Sequence, residues 1–341
     1  MIELGPENVV AYLRAAGRLD RDAPAAAEPL AWGVSNVVLR VTPAAGPAFV
    51  VKQSRAKLRT EADWFSRLDR IEREAEILRA LAEILPPGAV PAVLFEDREN
   101  HLFGMEAVAA DHRVWKAELL AGRATPAVAA TAGEYLGTIH GRSAGRAEFA
   151  ERFGDREVFD QLRIDPFYRR IAAAHPAIRP RIAGLIEELL ATRLCLVHAD
   201  FSPKNILLAG DRLTLVDFET GHYGDPAFDL GFFLSHLALK MVLHAVRANE
   251  FLRLIDEFRA AYADALARTD AARAIDPGDL ERRTVSHFAG CLLARIDGKS
   301  PVDYLHEEGA RRRVRSACLA AFADPPATID EALARLHQAP P

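Results

Sequence analysis

The feature that most constrains this chain is a polar loop set between short apolar runs. Residues 194–197 are apolar. They lead into His198-Ala199-Asp200-Phe201-Ser202-Pro203-Lys204-Asn205, and 206–208 are apolar again. Ala209-Gly210-Asp211-Arg212 carries turn residues, 213–216 is a returning apolar run, and Asp217 opens the triplet Asp217-Phe218-Glu219. Short apolar runs bounded by turn residues read as buried strands. The stretch therefore reads as loop, strand, hairpin turn, strand and acidic tip, and the hairpin is expected to return Asp217 to the side of Asn205.

That pattern points to chemistry. Asp200 can hold and polarise a hydroxyl, while Asn205 and Asp217 can offer oxygen to one hard cation. Mg²⁺ takes few protein ligands and fills the rest of its shell with phosphate oxygens and water, which suits one amide and one carboxylate. An Asp, an Asn five residues on and a second Asp opening an Asp-Phe-x triplet are the polar groups used in phosphoryl transfer from ATP. Neither the His-x-Asp nor the Asp-Phe-Glu carries weight alone; the ordered combination does. His198 is expected to pack and hydrogen-bond rather than to react.

On these residues the chain resembles the aminoglycoside phosphotransferase/choline kinase group of small-molecule kinases. The resemblance runs over most of its length. It implies an α+β, bilobal protein-kinase-like fold, with a small N-terminal β-sheet lobe and a larger, mainly helical C-terminal lobe. Residues 1–108 would form the nucleotide-binding lobe and 109–341 the catalytic and substrate-binding lobe, with ATP and Mg²⁺ as cofactors. The group's loop carries Gly where this chain has Ala199, a change without consequence at ordinary φ and a strain at positive φ. In Gly224-Asp225-Pro226-Ala227-Phe228-Asp229-Leu230, the resemblance makes Asp229 a cap on the backbone of the Asp200 loop; Asp229 also reads simply as an acid at a helix start.

The first hundred residues fit the same scheme. Gly33, Ser35 and Asn36 precede the β-branched run 37–41 and form a candidate phosphate loop through backbone N–H groups and the Ser35 and Asn36 side chains. Residues 43–47 read as a turn and 49–53 as a strand, with Lys52 as the candidate phosphate-binding cation. Apolar spacing predicts a helix over 70–81. Glu72, Glu74 and Glu76 compete there as the partner of Lys52, and the resemblance points to Glu74. Residues 92–95 and 102–106 read as strands, the second running into a hinge at Glu106 to Val108 that would offer backbone groups to adenine. Helical patterns cover 126–142, 181–190, 228–239 and 250–267, the first with Thr125 as N-cap and Pro126 at its first position. His140 is expected to pack within its helix, and residues 22–27 to form a loop.

Substrate contacts are less sharply marked. Lys204 and Glu219, which flank the motif residues, and Arg295 are the candidates. The segments 111–122, 159–168 and 294–304 resemble methylthioribose kinases, in which an Arg at the position of Arg295 lies in the sugar site; Arg295 also reads as a surface cation at a helix end. Polycationic acceptors need uncompensated carboxylates and choline an aromatic cage. The late basic residues Arg295, Lys299, Arg311, Arg312, Arg313 and Arg315 favour a neutral or anionic polyol. Aminoglycoside or amino-alcohol kinases, and a non-catalytic nucleotide-binding module, are the alternatives. The interval from Asp217 to Gly224-Asp225-Pro226 is too short for the activation loop of a protein kinase.

Composition bounds the rest. With 341 residues, half of them hydrophobic, the chain can bury two cores. A net charge of −5 gives no reason to expect nucleic acid. Three cysteines without metal-ligand spacing suggest a reducing compartment. Residues 1–5 lack a basic, apolar leader pattern and no apolar run reaches membrane length. The expectation is a cytoplasmic enzyme with a small-molecule substrate and no nucleic-acid or membrane partner, its oligomeric state left open.

Overall fold

Five short strands between residues 25 and 106 form an antiparallel sheet. In chain order the strands are β1 (Ala25–Pro29), β2 (Asn36–Pro43), β3 (Phe49–Ser54), β4 (Val93–Asp97) and β5 (Leu102–Glu106), arranged in space as β1-β2-β3-β5-β4. The computed structural model describes residues 2–30, 35–58, 64–270 and 274–339. It divides into two compact units, Met1–His112 with Leu207–Glu219, and Arg113–Ile206 with Thr220–Pro341. The sequence reading placed a single boundary at 108/109; the contacts instead group the 207–219 segment with the first unit.

In the first unit β3 is buried along its whole length, flanked by β2 and β5, with Lys52 opposite Val38 on one side and Phe103 on the other. Successive strand residues face opposite sides. Val37, Leu39, Val41, Phe49, Val51 and Leu102 pack with Leu4, Val9 and Leu13, the last two from the helix Val9–Ala15. The helix Arg70–Ala82 packs on β3, β4 and β5 and buries Ile71, Ala75 and Leu78 along one stripe. The hairpin Ile206–Ala209/Arg212–Leu215 turns at Gly210, whose φ is 58°. It is tied down by Thr214 Oγ1 donating to Gly88 O at 2.8 Å and Leu215 N donating to Ala89 O at 2.7 Å.

One expectation fails here. The Ala-rich stretch read as a loop supplies β1, in register with β2 from Ala25 opposite Pro43 to Pro29 opposite Leu39. Edge pairing needs backbone groups, not bulky side chains, so the apolar pattern was silent.

The second unit is mainly helical, with the longest helices at Pro126–Ser143, Pro226–Leu243, Ala248–Ala267 and Pro277–Asp297. Thr125 stands at the predicted cap, but its side chain makes no cap bond. Asp160–Arg169 winds as a π-helix with Pro166 inside it. Pro226–Leu243 is long and apolar enough to cross a membrane by length and composition, contrary to the sequence reading, and 94% of it is buried within the protein as a core helix. Three free cysteines, Cys195, Cys291 and Cys318, are also buried.

The helices Pro126–Ser143 and Ala248–Ala267 meet through bare backbone. A Cβ on Gly133 would lie 2.2 Å from Phe258 O, and one on Gly137 would lie 2.5 Å from Tyr262 O. No rotamer change relieves a clash with a main-chain oxygen. Gly133→Ala should therefore force the helices apart and cost about 1–3 kcal/mol or more, against the usual gain of Ala over Gly in a helix. Urea denaturation checks this, and a stabilised variant would contradict the packing.

Candidate active site

The functional residues of the first unit gather around a buried ammonium. Lys52, 4% exposed, donates from Nζ to Glu74 Oε1 and Oε2 at 2.8 and 2.7 Å and to Asp217 Oδ1 at 2.6 Å. Burial disfavours this cation, but the charges of Asp217, Glu74 and Glu219 outweigh it and hold Lys52 protonated well above its ordinary value. Burial pushes Glu74 up to about 7, against the opposing pull of Lys52. Of the three competing acids, Glu74 meets Lys52; Glu76 lies 3.2 Å from Arg98 and Glu72 lies 3.4 Å from His101. Glu74 Oε1 also accepts from Phe218 N at 3.2 Å, so one carboxylate sets both the lysine and the turn after Asp217. Asp217 adopts a φ of 71°, a left-handed conformation that Asp tolerates better than most residues.

A second cluster lies around Glu219. Its carboxylate accepts from Ser35 Oγ at 2.6 Å, Asn36 Nδ2 at 2.8 Å and Arg70 Nε at 2.9 Å. Arg70, 1% exposed, also donates to Ser35 O, Asn36 Oδ1 and Arg55 O. This corrects two expectations. Glu219, expected as a substrate contact, is buried with its oxygens engaged by this network. The side chains of Ser35 and Asn36, expected at phosphate, instead meet Glu219 and Arg70. Gly33 lies outside the described residues. Glu106 closes β5 with an exposed side chain, and Val108 O accepts from Arg40 at 3.0 Å. Both line a cavity of about 530 Å³ with Gly88, Pro91 and Arg212.

In the second unit the Asp200 loop is built around a strained residue. Ala199 has a φ of 59°, so the Gly position of the resembling group does demand a left-handed backbone here. A non-glycine residue there costs about 1–2 kcal/mol. Asp229, fully buried, supplies the restraint: Oδ2 accepts from His198 N and Oδ1 from Ala199 N, each at 2.7 Å. His140 Nε2 lies 3.2 Å from the same Oδ2, inside its helix as expected. The helix start is capped by Asp225, whose side chain accepts from Ala227 N. Asp229 therefore holds the loop rather than the helix end.

Asp200 sits at the tip, 3% exposed, its carboxylate held by three donors. Arg163 Nη2 lies 2.8 Å from Oδ1, Lys204 Nζ 2.8 Å from Oδ2 and Asn205 Nδ2 2.9 Å from Oδ2. Asn205 Nδ2 also donates to Asp200 O at 3.0 Å, so the amide nitrogen is spent locally. His198 accepts from Asp200 N through Nδ1 at 3.3 Å and packs edge-on to Phe201, a structural role.

Arg163 escaped the sequence reading. It donates from Nε to Ala199 O at 2.8 Å while pairing with Asp200. The only available signal was an Arg inside the apolar run Leu162-Arg163-Ile164. Arg70 was missed for the same reason, its position at a helix start resembling a solvated one. Arg295 is not the surface cation that was one reading of it: it packs over Phe167 at 5.9 Å and donates to Ser300 O. Burial pulls its pKa below the ordinary range.

The phosphotransferase enzyme family (APH) matches residues 26–275, most of the chain. The chain belongs to the phosphotransferase enzyme family. A methylthioribose kinase of Pectobacterium carotovorum is 29% identical over 327 residues, covering 86% of this chain and 81% of that protein. One from Pectobacterium atrosepticum is 30% identical over 240 residues, covering 62% of this chain and 60% of that protein. A choline/ethanolamine kinase family protein from Mesorhizobium loti superposes with a TM-score of 0.53 over 97% of this chain and 98% of that one, at 20% identity. The fold is thus the α+β, protein-kinase-like one, and this family member is an ATP-dependent small-molecule kinase.

Asp229→Ala should leave two buried backbone N–H groups unpaired and free Ala199 from its left-handed conformation. The expected loss is about 3 kcal/mol or more in urea denaturation, with turnover falling alongside. Near-native stability would show that Asp229 does not hold the loop.

Proposed function

We propose that this chain transfers the γ-phosphoryl group of Mg-ATP to a hydroxyl of a small, sugar-like alcohol. The observation that carries the reading is Asp200, fixed at a loop tip by Arg163, Lys204 and Asn205. Nucleotide binding is assigned to the first unit and the acceptor, with the Asp200 loop, to the second. Bound Mg-ATP supplies the reactive phosphoryl group and neutralises its charge. The residues fit it. Two carboxylates crowd Lys52, leaving that cluster short of positive charge and receptive to a divalent ion. Among the described residues no group of three or more His, Cys, Asp or Glu could hold a metal by itself, which suits Mg²⁺, whose shell is filled largely by phosphate oxygens and water.

Lys52, oriented by Glu74, would hold phosphate oxygens. Asp217 and Asn205 would supply one oxygen ligand each. Asp200 would accept the acceptor's hydroxyl hydrogen and aim its oxygen for in-line attack. Catalysis of this kind is mostly positioning and charge neutralisation. The sugar-like acceptor is supported by the named activity of the methylthioribose kinases and by the basic side chains near Asp200. Those side chains disfavour the polycationic acceptors of antibiotic kinases. The buried, unpaired cysteines suit a reducing, cytoplasmic compartment.

ATP consumption against a panel of sugars, amino alcohols and aminoglycosides tests the class. Asp200→Asn should lower kcat about a thousandfold or more while nucleotide affinity changes little. Full activity in that variant would overturn the assignment. Asp217→Asn should instead lose Mg²⁺-dependent nucleotide binding, read by titration calorimetry with and without the metal. Nucleotide binding with no acceptor in any class would favour a non-catalytic module.

A further inference from the structure

A group of basic side chains in the second unit lacks its counter-charge. Lys240, 1% exposed, donates to Tyr304 Oη at 3.0 Å and lies 4.8 Å from that ring's centroid. Among the described residues it forms no ion pair. His236, one helical turn earlier on the same face of Pro226–Leu243, is 8% exposed, and its Nε2 has no hydrogen-bond partner. Arg295 Nε is likewise buried and unpartnered, and its guanidinium is met by Ser300 rather than by a carboxylate. Lys116 Nζ lies 5.8 Å from the Tyr304 ring and 3.5 Å from the largely exposed Asp303.

Shared rings bring these groups together. Arg295 and Arg163 both lie over Phe167 at 5.9 Å, and Arg163 lies over Phe232, which packs on His236 at 4.9 Å. Lys240 and Lys116 share Tyr304. Of the carboxylates near the cluster, Asp303 is largely exposed and Asp200 is already shared by Arg163, Lys204 and Asn205. Burial drives the pKa of both His236 and Lys240 well down, and their cationic neighbours add to it. An unpaired cation in a protein interior is costly unless something pairs with it. An anion from outside the chain would let these groups keep their protons.

We infer that Lys240, His236, Arg295 and Lys116 form an anion pocket beside Asp200, and that the phosphate acceptor carries a carboxylate or phosphate group as well as its reacting hydroxyl. The inference rests on the kinase reading and narrows its substrate class to an anionic polyol. The anion restores the missing charge, and the geometry then places the remaining hydroxyls toward Asp200. A cationic acceptor would meet like charges at this wall.

The test uses the full chain with inorganic phosphate, ribonate and acetate as probes, each against sodium chloride at matched ionic strength. Thermal unfolding should show a saturable rise with phosphate or with ribonate, and which of the two acts separates a phosphate from a carboxylate site. Lys240→Met should weaken that response at least tenfold, while its Tm without anion equals or exceeds that of the wild type. Lys116→Ala, on the exposed edge, weakens it with little risk to folding, and Lys52→Met keeps it, separating this pocket from the nucleotide-binding cluster. In turnover, ribose 5-phosphate or ribonate should exceed ribose in kcat/KM at least tenfold, and Lys240→Met should erase the preference through KM with the KM for ATP unchanged. No saturable anion response, or one equal in wild type and Lys240→Met, overturns the pocket. Neutral sugars turned over as well as anionic ones, in both proteins, overturns it and leaves the kinase reading standing. Anion binding lost in Lys240→Met with no ATP consumption on any acceptor overturns the kinase reading instead.

Discussion

The Asp200 loop has its shape because one buried carboxylate answers two backbone N–H groups. Asp229 binds His198 N and Ala199 N at once, and nothing about local propensity would otherwise hold an alanine at a φ of 59°. The same device recurs. Glu219 fixes the Ser35–Asn36 segment, Glu74 fixes Lys52 and the Phe218 amide, and Asp225 caps a core helix while pairing with Arg283 at 2.9 Å. Buried acids are costly unless several donors converge on them. Four of them at the ends of functional segments mean that each segment is rigidly tied to a core element, which is what positioning chemistry requires.

Charge is distributed unevenly between the units. In the first, one ammonium faces two close carboxylates, with Glu219 adding its field. In the second, several cations share too few acids. The first arrangement is short of positive charge and the second short of negative charge. Both are imbalances kept in buried or half-buried surroundings, where charges interact more strongly than in water. A folded chain carrying both has given up stability that complete pairing would have supplied, and functional sites are where such concessions are expected.

Much of this was legible in the sequence because it depends on short-range pattern. Short apolar runs bounded by turn residues give β2, β3 and β5; helical spacing gives Arg70–Ala82 and Pro126–Ser143; the Asp200–Asn205 spacing and the returning hairpin follow from turn residues. Lys52 could be singled out because it stands in an apolar strand at the right spacing from Gly33, upstream of the Asp200 motif. What stayed hidden depends on long-range partners. Arg163 and Arg70 look like solvated helix residues until the loops they hold, 36 and 35 positions away, are folded against them. Glu219 sits two places after Asp217 and invites a substrate role; its partner Arg70 lies 149 residues away. β1 was missed because an alanine strand at a sheet edge has no side-chain signature.

The loop's alanine shows how the hidden residues bear on the visible ones. A left-handed alanine is strained by about 1–2 kcal/mol, and strain of that size persists only where the surroundings over-determine the backbone. Here Asp229 holds the amide of Ala199 and Arg163 holds its carbonyl. Arg163 then extends to Asp200 Oδ1, so a single guanidinium couples the strained peptide to the Asp200 carboxylate and to the aromatic wall formed by Phe167 and Phe232. Where the resembling group carries a glycine, this chain carries an alanine whose amide and carbonyl are held by Asp229 and Arg163. The orientation of Asp200 is thereby tied to the packing of the acceptor-side helices, through a residue that no local motif marks.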